Sequence, residues 1–221
     1  MAQPVSEIVR IQCPERAKAL LGQSAPAALP ALGDVGILAR HKLGVIGSLQ
    51  CPATVILATH DLARAWATNG EAVIGGFHSP VEKECLRLLL RGTGPVVICP
   101  ARGLEGMRVP AAWWEPIGQG RLLLLSPFDA RCKRATADLA EQRNRFVAAL
   151  ADAVFVPHAS PGRKTESLCR QVVAWGKPLW TVAGPENANL LALGAKVAGQ
   201  GAGPTDTGSF VGVSPLPRYR P

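Results

Sequence analysis

From about residue 42 the chain alternates short, continuous apolar runs with longer stretches of helical period. The runs predict strands at Lys42–Ser48, Glu71–Gly75, Pro95–Cys99, Arg121–Leu125, Ala153–Pro157 and Pro178–Val182. Runs without polar alternation suit strands covered on both faces, as in a parallel sheet. The intervening segments have helical marks. Val55, Thr59, Leu62, Ala63 and Trp66 fall on one face, and Gly70 follows where a helix stops. Ser79-Pro80-Val81-Glu82 is a capping box with proline at the first helical position. Further helical regions are expected at about 133–151, 164–175 and 186–194. This βα rhythm predicts an α/β protein with a Rossmann-like three-layer fold: a mostly parallel sheet with helices on both faces. The expected organisation is an N-terminal lead-in over 1–41 with a short helix, a Rossmann domain over 42–198, and a frayed Gly/Pro-rich tail over 199–221. No internal repeat and no second domain is visible.

Composition narrows the class. The 221 residues suit one domain, and 48% apolar against 18% charged residues argues against disorder or a long coiled coil. With 24 basic and 16 acidic residues the net charge is +8, which favours nucleic acid, nucleotides or phosphorylated metabolites without choosing among them. The six cysteines form no CxxC pair and no zinc-like group with histidine, so reduced thiols and no metal or cofactor are expected. Cys85, Cys99 and Cys169 lie within apolar patterns and read as core residues. Met1 to Arg10 lacks the apolar run of a signal peptide and no stretch is long enough to span a bilayer, so a cytoplasmic protein without membrane contact is expected.

Three strand-to-helix junctions carry glycine or proline turns. They are Gly47-Ser48, then Gly75-Gly76-Phe77-His78 before the Ser79 cap, and Ser160-Pro161-Gly162-Arg163-Lys164-Thr165-Glu166. In a parallel sheet all three fall at the carboxyl edge of the strands, where ligands of open α/β sheets bind. Helix-start N–H groups and close-approach glycines suit an anion there. Arg143, with Leu139, Phe146, Val147 and Leu150, shares an apolar helical stripe. Such an arginine is either a phosphate clamp or half of a buried ion pair. His78 either contacts ligand or is structural. Glu82 and Glu166 suit helix starts. Trp113-Trp114 either stacks on bases or anchors a loop.

At these residues the sequence resembles the DNA-processing protein A family, also called DprA or Smf, over about 42–196. Gly47-Ser48 resembles the start of its Gly-Ser-Arg motif, with Leu49 in place of the arginine. Ile74-Gly75-Gly76 resembles its Ser-Gly-Gly turn, although Phe77-His78-Ser79-Pro80 replaces a small, glycine-rich segment. Leu125-Ser126-Pro127 followed by Arg143-Asn144-Arg145 resembles its Ser-Glu segment and Arg-Asn-Arg. Asn189-Leu190-Leu191 with Gly194-Ala195 resembles its closing motif. The resemblance implies single-stranded DNA binding in DNA uptake and transformation, a homodimer, and a recombinase partner. The phosphate-binding residues it implies, together with the turns above, are Gly47, Ser48, Gly75, Gly76, Phe77, His78, Ser79, Arg143, Asn144, Arg145, Gly162, Lys164 and Thr165. A second resemblance competes. Pro161-Gly162-Arg163-Lys164-Thr165-Glu166 is similar to a degraded Lonely Guy phosphoribohydrolase motif, which would make Glu166 the catalytic carboxylate of a nucleotide-processing enzyme. Arg163 and Lys164 stand where that motif has glycines, so a DNA binder is the leading expectation, and a non-catalytic nucleotide sensor is a third reading.

Overall fold

The computed structural model describes residues 7–199. In chain order its elements are β1 (Val9–Gln12), α1 (Glu15–Leu21), β2 (Ala28–Gly33), β3 (Lys42–Val45), α2 (Ala53–Asn69), β4 (Ala72–Gly75), α3 (Pro80–Leu89), β5 (Val96–Ile98), α4 (Ala111–Gly118), β6 (Leu122–Leu125), α5 (Ala137–Leu150), β7 (Ala153–Phe155), α6 (Lys164–Ala174), β8 (Leu179–Thr181), α7 (Ala188–Ala192) and β9 (Lys196–Val197). All strands join one sheet in the order β1-β2-β6-β5-β4-β3-β7-β8-β9. From β6 to β9 every neighbouring pair is parallel, while β1 and β2 run antiparallel at one edge.

The six expected strands are all present, and each is shorter than its apolar run. They are the middle of the sheet, and their side chains alternate between two cores. Leu123 and Leu125 of β6 join Phe146, Val147 and Leu150 of α5, Cys169 and Val172 of α6, and Ala17 and Leu21 of α1. Leu122 and Leu124 join Trp66 of α2, Cys85 and Leu89 of α3, and Ile117 of α4. Helices α1, α5, α6 and α7 therefore cover one face and α2, α3 and α4 the other. Both faces are apolar at every second residue, so the run looks continuous in sequence.

The N-terminal segment departs from expectation. Besides the short helix α1 it supplies two strands, with Ala31, Leu32 and Gly33 of β2 paired to Leu125, Leu124 and Leu123 of β6. Ala-Leu-Pro-Ala-Leu-Gly has none of the β-branched residues that mark strands. Pairing with β6 makes it one. The tail over 200–221 lies outside the described residues.

Strand order sets the site. The chain steps outward from β3 through β4 and β5 to β6. Helix α5 then carries it back to β7 on the other side of β3. The crevice beyond the carboxyl ends of β3 and β7 is thus the topological switch point. At the opposite edge Lys177 closes α5: its Nζ donates to the carbonyls of Ala148 and Ala149, both at 2.7 Å, and of Ala151.

Candidate nucleic-acid interface

The first and third glycine junctions meet at the switch point. Ser48, just past β3, lies with its Oγ 3.2 Å from Thr165 Oγ1 at the start of α6. The same hydroxyl is 2.9 Å from the carbonyl oxygen of His158, to which it donates. Thr165 lies in the first turn of α6, whereas α2 begins beyond Ser48 at Ala53, where Thr54 donates to the Glu186 carboxylate at 3.0 Å; no side chain caps either helix, at Pro52 or at Arg163. An uncapped helix start leaves first-turn N–H groups directed outward with the positive end of the helix dipole. The start of α6 opens on the crevice, with the Ser48 and Thr165 hydroxyls beside it. This is the arrangement that accepts a phosphate group.

Gly162 adopts φ +70°, which lets its N–H turn back and donate to Glu166 Oε2 at 3.0 Å. Glu166 Oε1 accepts from Asn189 Nδ2 at 2.8 Å, and Asn189 also donates to the carbonyl of Ala159. The Asn189 and Gly162 hydrogen bonds, with Arg170 nearby, hold the Glu166 carboxyl below its ordinary range. Both oxygens of Glu166 are thus engaged in fastening the loop to α6 and α7.

The second junction is closed. Ser79 Oγ accepts from the N–H of Glu82, and Glu82 Oε2 accepts from the N–H groups of Ser79 at 2.8 Å and His78 at 3.3 Å. The capping box expected from sequence is formed, and it consumes the donors that an anion would use. It also holds Phe77 at φ +49°, the one left-handed non-glycine residue among those described. Such a conformation persists only where surrounding contacts impose it. The buried Glu82 carboxylate faces the charge of Arg143. Arg143 is 3% exposed, and its Nη1 donates to the Cys99 carbonyl at 2.9 Å while Nε donates to Asn144 Oδ1 at 2.7 Å. Burial lowers its proton affinity, and Glu82 opposes that shift. A Cβ on Gly76 would overlap Arg143 Nη1, so only glycine admits the guanidinium. Arg143 braces the ends of β4 and β5 from below.

Of the remaining expected residues, Gly75 and Gly47 adjoin the second junction, while Lys164 and Arg145 lie apart from it. Gly75 ends β4 beneath Phe77. Gly47 packs so closely on α3 that a Cβ would meet Ser79 Oγ at 2.7 Å. His78 is exposed at the rim. Lys164 is exposed and pairs with Glu141 at 2.7 Å. Arg145, two residues beyond Arg143, points to another side of α5. It lines a cleft of about 480 Å³ with Leu21, Phe128 and Gln142, away from the crevice. Trp113 packs on the α2–α4 core, whereas Trp114 is 44% exposed. Leu49, at the lip of the crevice, is 74% exposed.

Sequence reasoning missed a basic rim over β5 and β6. The loops that follow these strands are joined by Gly103 N–H donating to the Cys132 carbonyl at 2.9 Å and by Ser126 Oγ donating to the Arg102 carbonyl at 2.7 Å. They carry Arg102 and Arg108, and Arg131, Lys133 and Arg134, of which all but Arg102 are exposed. Among the described residues, only Arg131 of these has a carboxylate partner, Asp129 at 2.7 Å. The signal was the run Arg131-Cys132-Lys133-Arg134, three cations in four residues.

A family model for DNA recombination-mediator protein A matches residues 8–204. The chain belongs to the DNA recombination-mediator protein A family. Among solved structures, DNA processing protein A from Helicobacter pylori, a protein with a single-stranded DNA binding mode, is similar with a TM-score of 0.71 and 22% identity. The match covers 86% of this chain and 90% of that one. DNA processing protein A from Streptococcus pneumoniae is similar with a TM-score of 0.72 and 18% identity, over 88% of this chain and 72% of that one. No curated protein sequence matches. At these identities the two structures establish the shared fold, and the family assignment rests on the model match. For a member of this family the described residues include no helix long and apolar enough to cross a membrane.

Proposed function

We propose that this recombination-mediator family protein binds single-stranded DNA, with one backbone phosphate seated at the uncapped start of α6 beside Ser48 and Thr165. The observation that carries this reading is the Ser48–Thr165 contact, which brings the turn after β3 against the start of α6 at the switch point. The basic rim extends the surface. Neighbouring strands lie about 4.8 Å apart, so the path from β7 across β3, β4 and β5 to β6 is about 19 Å long. A strand following it would meet the crevice at one end and Arg131, Lys133 and Arg134 at the other. A single nucleotide would use only the crevice. The expected setting is DNA processing in transformation, and family membership supports self-association and a recombinase partner as parts of that proposal.

Glu166 argues against base release. A catalytic carboxylate needs an oxygen free to meet substrate, and here both oxygens bind within the protein.

The test is binding of a fluorescent oligo-dT across a salt series. Each phosphate contact adds about −0.7 to the log–log salt slope. A slope near −2 or steeper supports several contacts along a strand. Equal affinity for thymidine monophosphate and the oligonucleotide, or binding indifferent to salt, rejects the reading.

A further inference from the structure

Beside the crevice, His158 and Ser160 on the loop after β7 and Asn187, just before α7, form a chain of polar contacts. Asn187 is fully buried, and its Nδ2 donates to the carbonyls of Pro157 at 2.8 Å and Val182 at 2.9 Å. Those two acceptors fix the orientation of the amide, so Oδ1 can only accept. His158 Nδ1 lies 3.0 Å from that oxygen and therefore carries the ring proton of the neutral imidazole. His158 Nε2 is then the unprotonated nitrogen. It lies 3.5 Å from Ser160 Oγ, which has no other hydrogen-bond partner among the described residues. Serine, histidine base and an orienting amide are thus in the order that nucleophilic catalysis requires. The contact between serine and base in such centres is commonly longer without substrate.

We propose that Ser160, His158 and Asn187 form a nucleophilic centre that hydrolyses carboxylic esters. His158 Nε2 takes the proton of Ser160 Oγ as Oγ bonds to the ester carbonyl carbon. The carbon–oxygen bond to the alcohol then breaks, and the leaving alkoxide receives that proton from Nε2. A water molecule next gives a proton to Nε2 and attacks the acyl group. The acid departs as Oγ recovers its proton, so no redox partner is needed. Asn187 Oδ1 holds the ring tautomer and the imidazolium that forms. Ser160 leads directly into α6 through the bond from Arg163 N–H to its carbonyl. The uncapped first turn there offers N–H groups to the carbonyl oxygen as charge develops on it. Arg163, exposed at the same helix start, favours an ester whose acid or alcohol part is anionic.

The test treats the whole chain with a fluorophosphonate probe, maps the adduct by mass spectrometry, and follows 4-nitrophenyl acetate turnover. The expected result is an adduct at Ser160 that forms much faster than at Ser167, an exposed serine on α6 that serves as the internal reference. Ser160→Ala abolishes turnover, and His158→Gln slows both labelling and turnover a hundredfold or more. Both variants are checked for native thermal unfolding. The proposal is overturned if Ser160 and Ser167 label at equal rates in the unaltered protein, or if turnover survives Ser160→Ala. It is also overturned if a folded His158→Gln protein labels normally. The readout does not depend on DNA, so its failure leaves the DNA-binding reading to its own experiment.

Discussion

The guanidinium of Arg143 occupies the space into which a side chain at Gly76 would grow, and a Cβ at Gly76 would overlap its Nη1. Gly76→Ala should therefore lower stability by about 1–3 kcal/mol, the usual cost of forcing atoms into a packed site. Arg143→Ala should cost about 1–3 kcal/mol, because it leaves the buried Cys99 carbonyl without its donor and removes a positive charge that acts on Glu82. The two effects should not add. With the guanidinium gone, Gly76→Ala should be nearly neutral, which a double-mutant cycle by urea denaturation would measure. An unchanged Gly76→Ala cost in the Arg143→Ala protein would mean that the turn, and not the packing against Arg143, requires glycine.

The crevice hydroxyls can be tested without disturbing the core. Thr165→Val keeps the shape of the side chain and removes its oxygen. If Thr165 meets a phosphate, oligonucleotide affinity should fall about fivefold to tenfold, the worth of one hydrogen bond of about 1–1.5 kcal/mol. Fluorescence anisotropy at fixed salt reads this directly. Equal affinity would place the strand away from the Ser48–Thr165 link.

The basic rim has a different signature. Lys133→Gln with Arg134→Gln should weaken oligonucleotide binding at every sequence tested. The salt slope should become shallower by about 0.7 for each phosphate that is no longer bound. Affinity for thymidine monophosphate should be unchanged, because the rim lies over β5 and β6 and the crevice lies beyond β3 and β7. A variant that weakens both equally would put the rim and the crevice in one small pocket.

Acid should loosen the crevice loop through Glu166. Its carboxyl is held below the ordinary range by Asn189 and Gly162. A carboxyl whose folded-state pKa is depressed contributes stability above its unfolded value, and this is lost as pH falls through the folded value. Stability at pH 7 should therefore exceed that near pH 3.5. Glu166→Gln should narrow the difference, because an amide at this position does not titrate. Urea unfolding at the two pH values is the measurement. An identical pH dependence in the variant would assign the acid sensitivity to other carboxyls, such as Asp152, which accepts from the Lys42 N–H.

Much of this molecule can be read from the chain alone. The apolar runs from Lys42 to Val182 locate the six central strands, because a strand covered on both faces needs apolar side chains at every position. Ser79, Pro80 and Glu82 specify the start of α3, since capping is local chemistry within four residues. The glycine turns mark the sheet edge that carries the candidate site. The stripe through Arg143 and Phe146 signals that a buried charge must find a partner.

Tertiary structure decides the rest, because the deciding contacts join residues distant in sequence. Strand β2 exists through pairing with β6, and nothing in Ala-Leu-Pro-Ala-Leu-Gly announces it. The partner of Arg143 is the carbonyl of Cys99, 44 residues away. Ser48 and Thr165 are separated by 117 residues, and only the return of α5 across the sheet makes them neighbours. The sequence marks three glycine turns on one edge. Folding leaves the helix starts beside two of them without a side-chain cap and fills the third with Ser79 and Glu82, since an N–H group that already donates within the protein has no hydrogen bond left for a ligand.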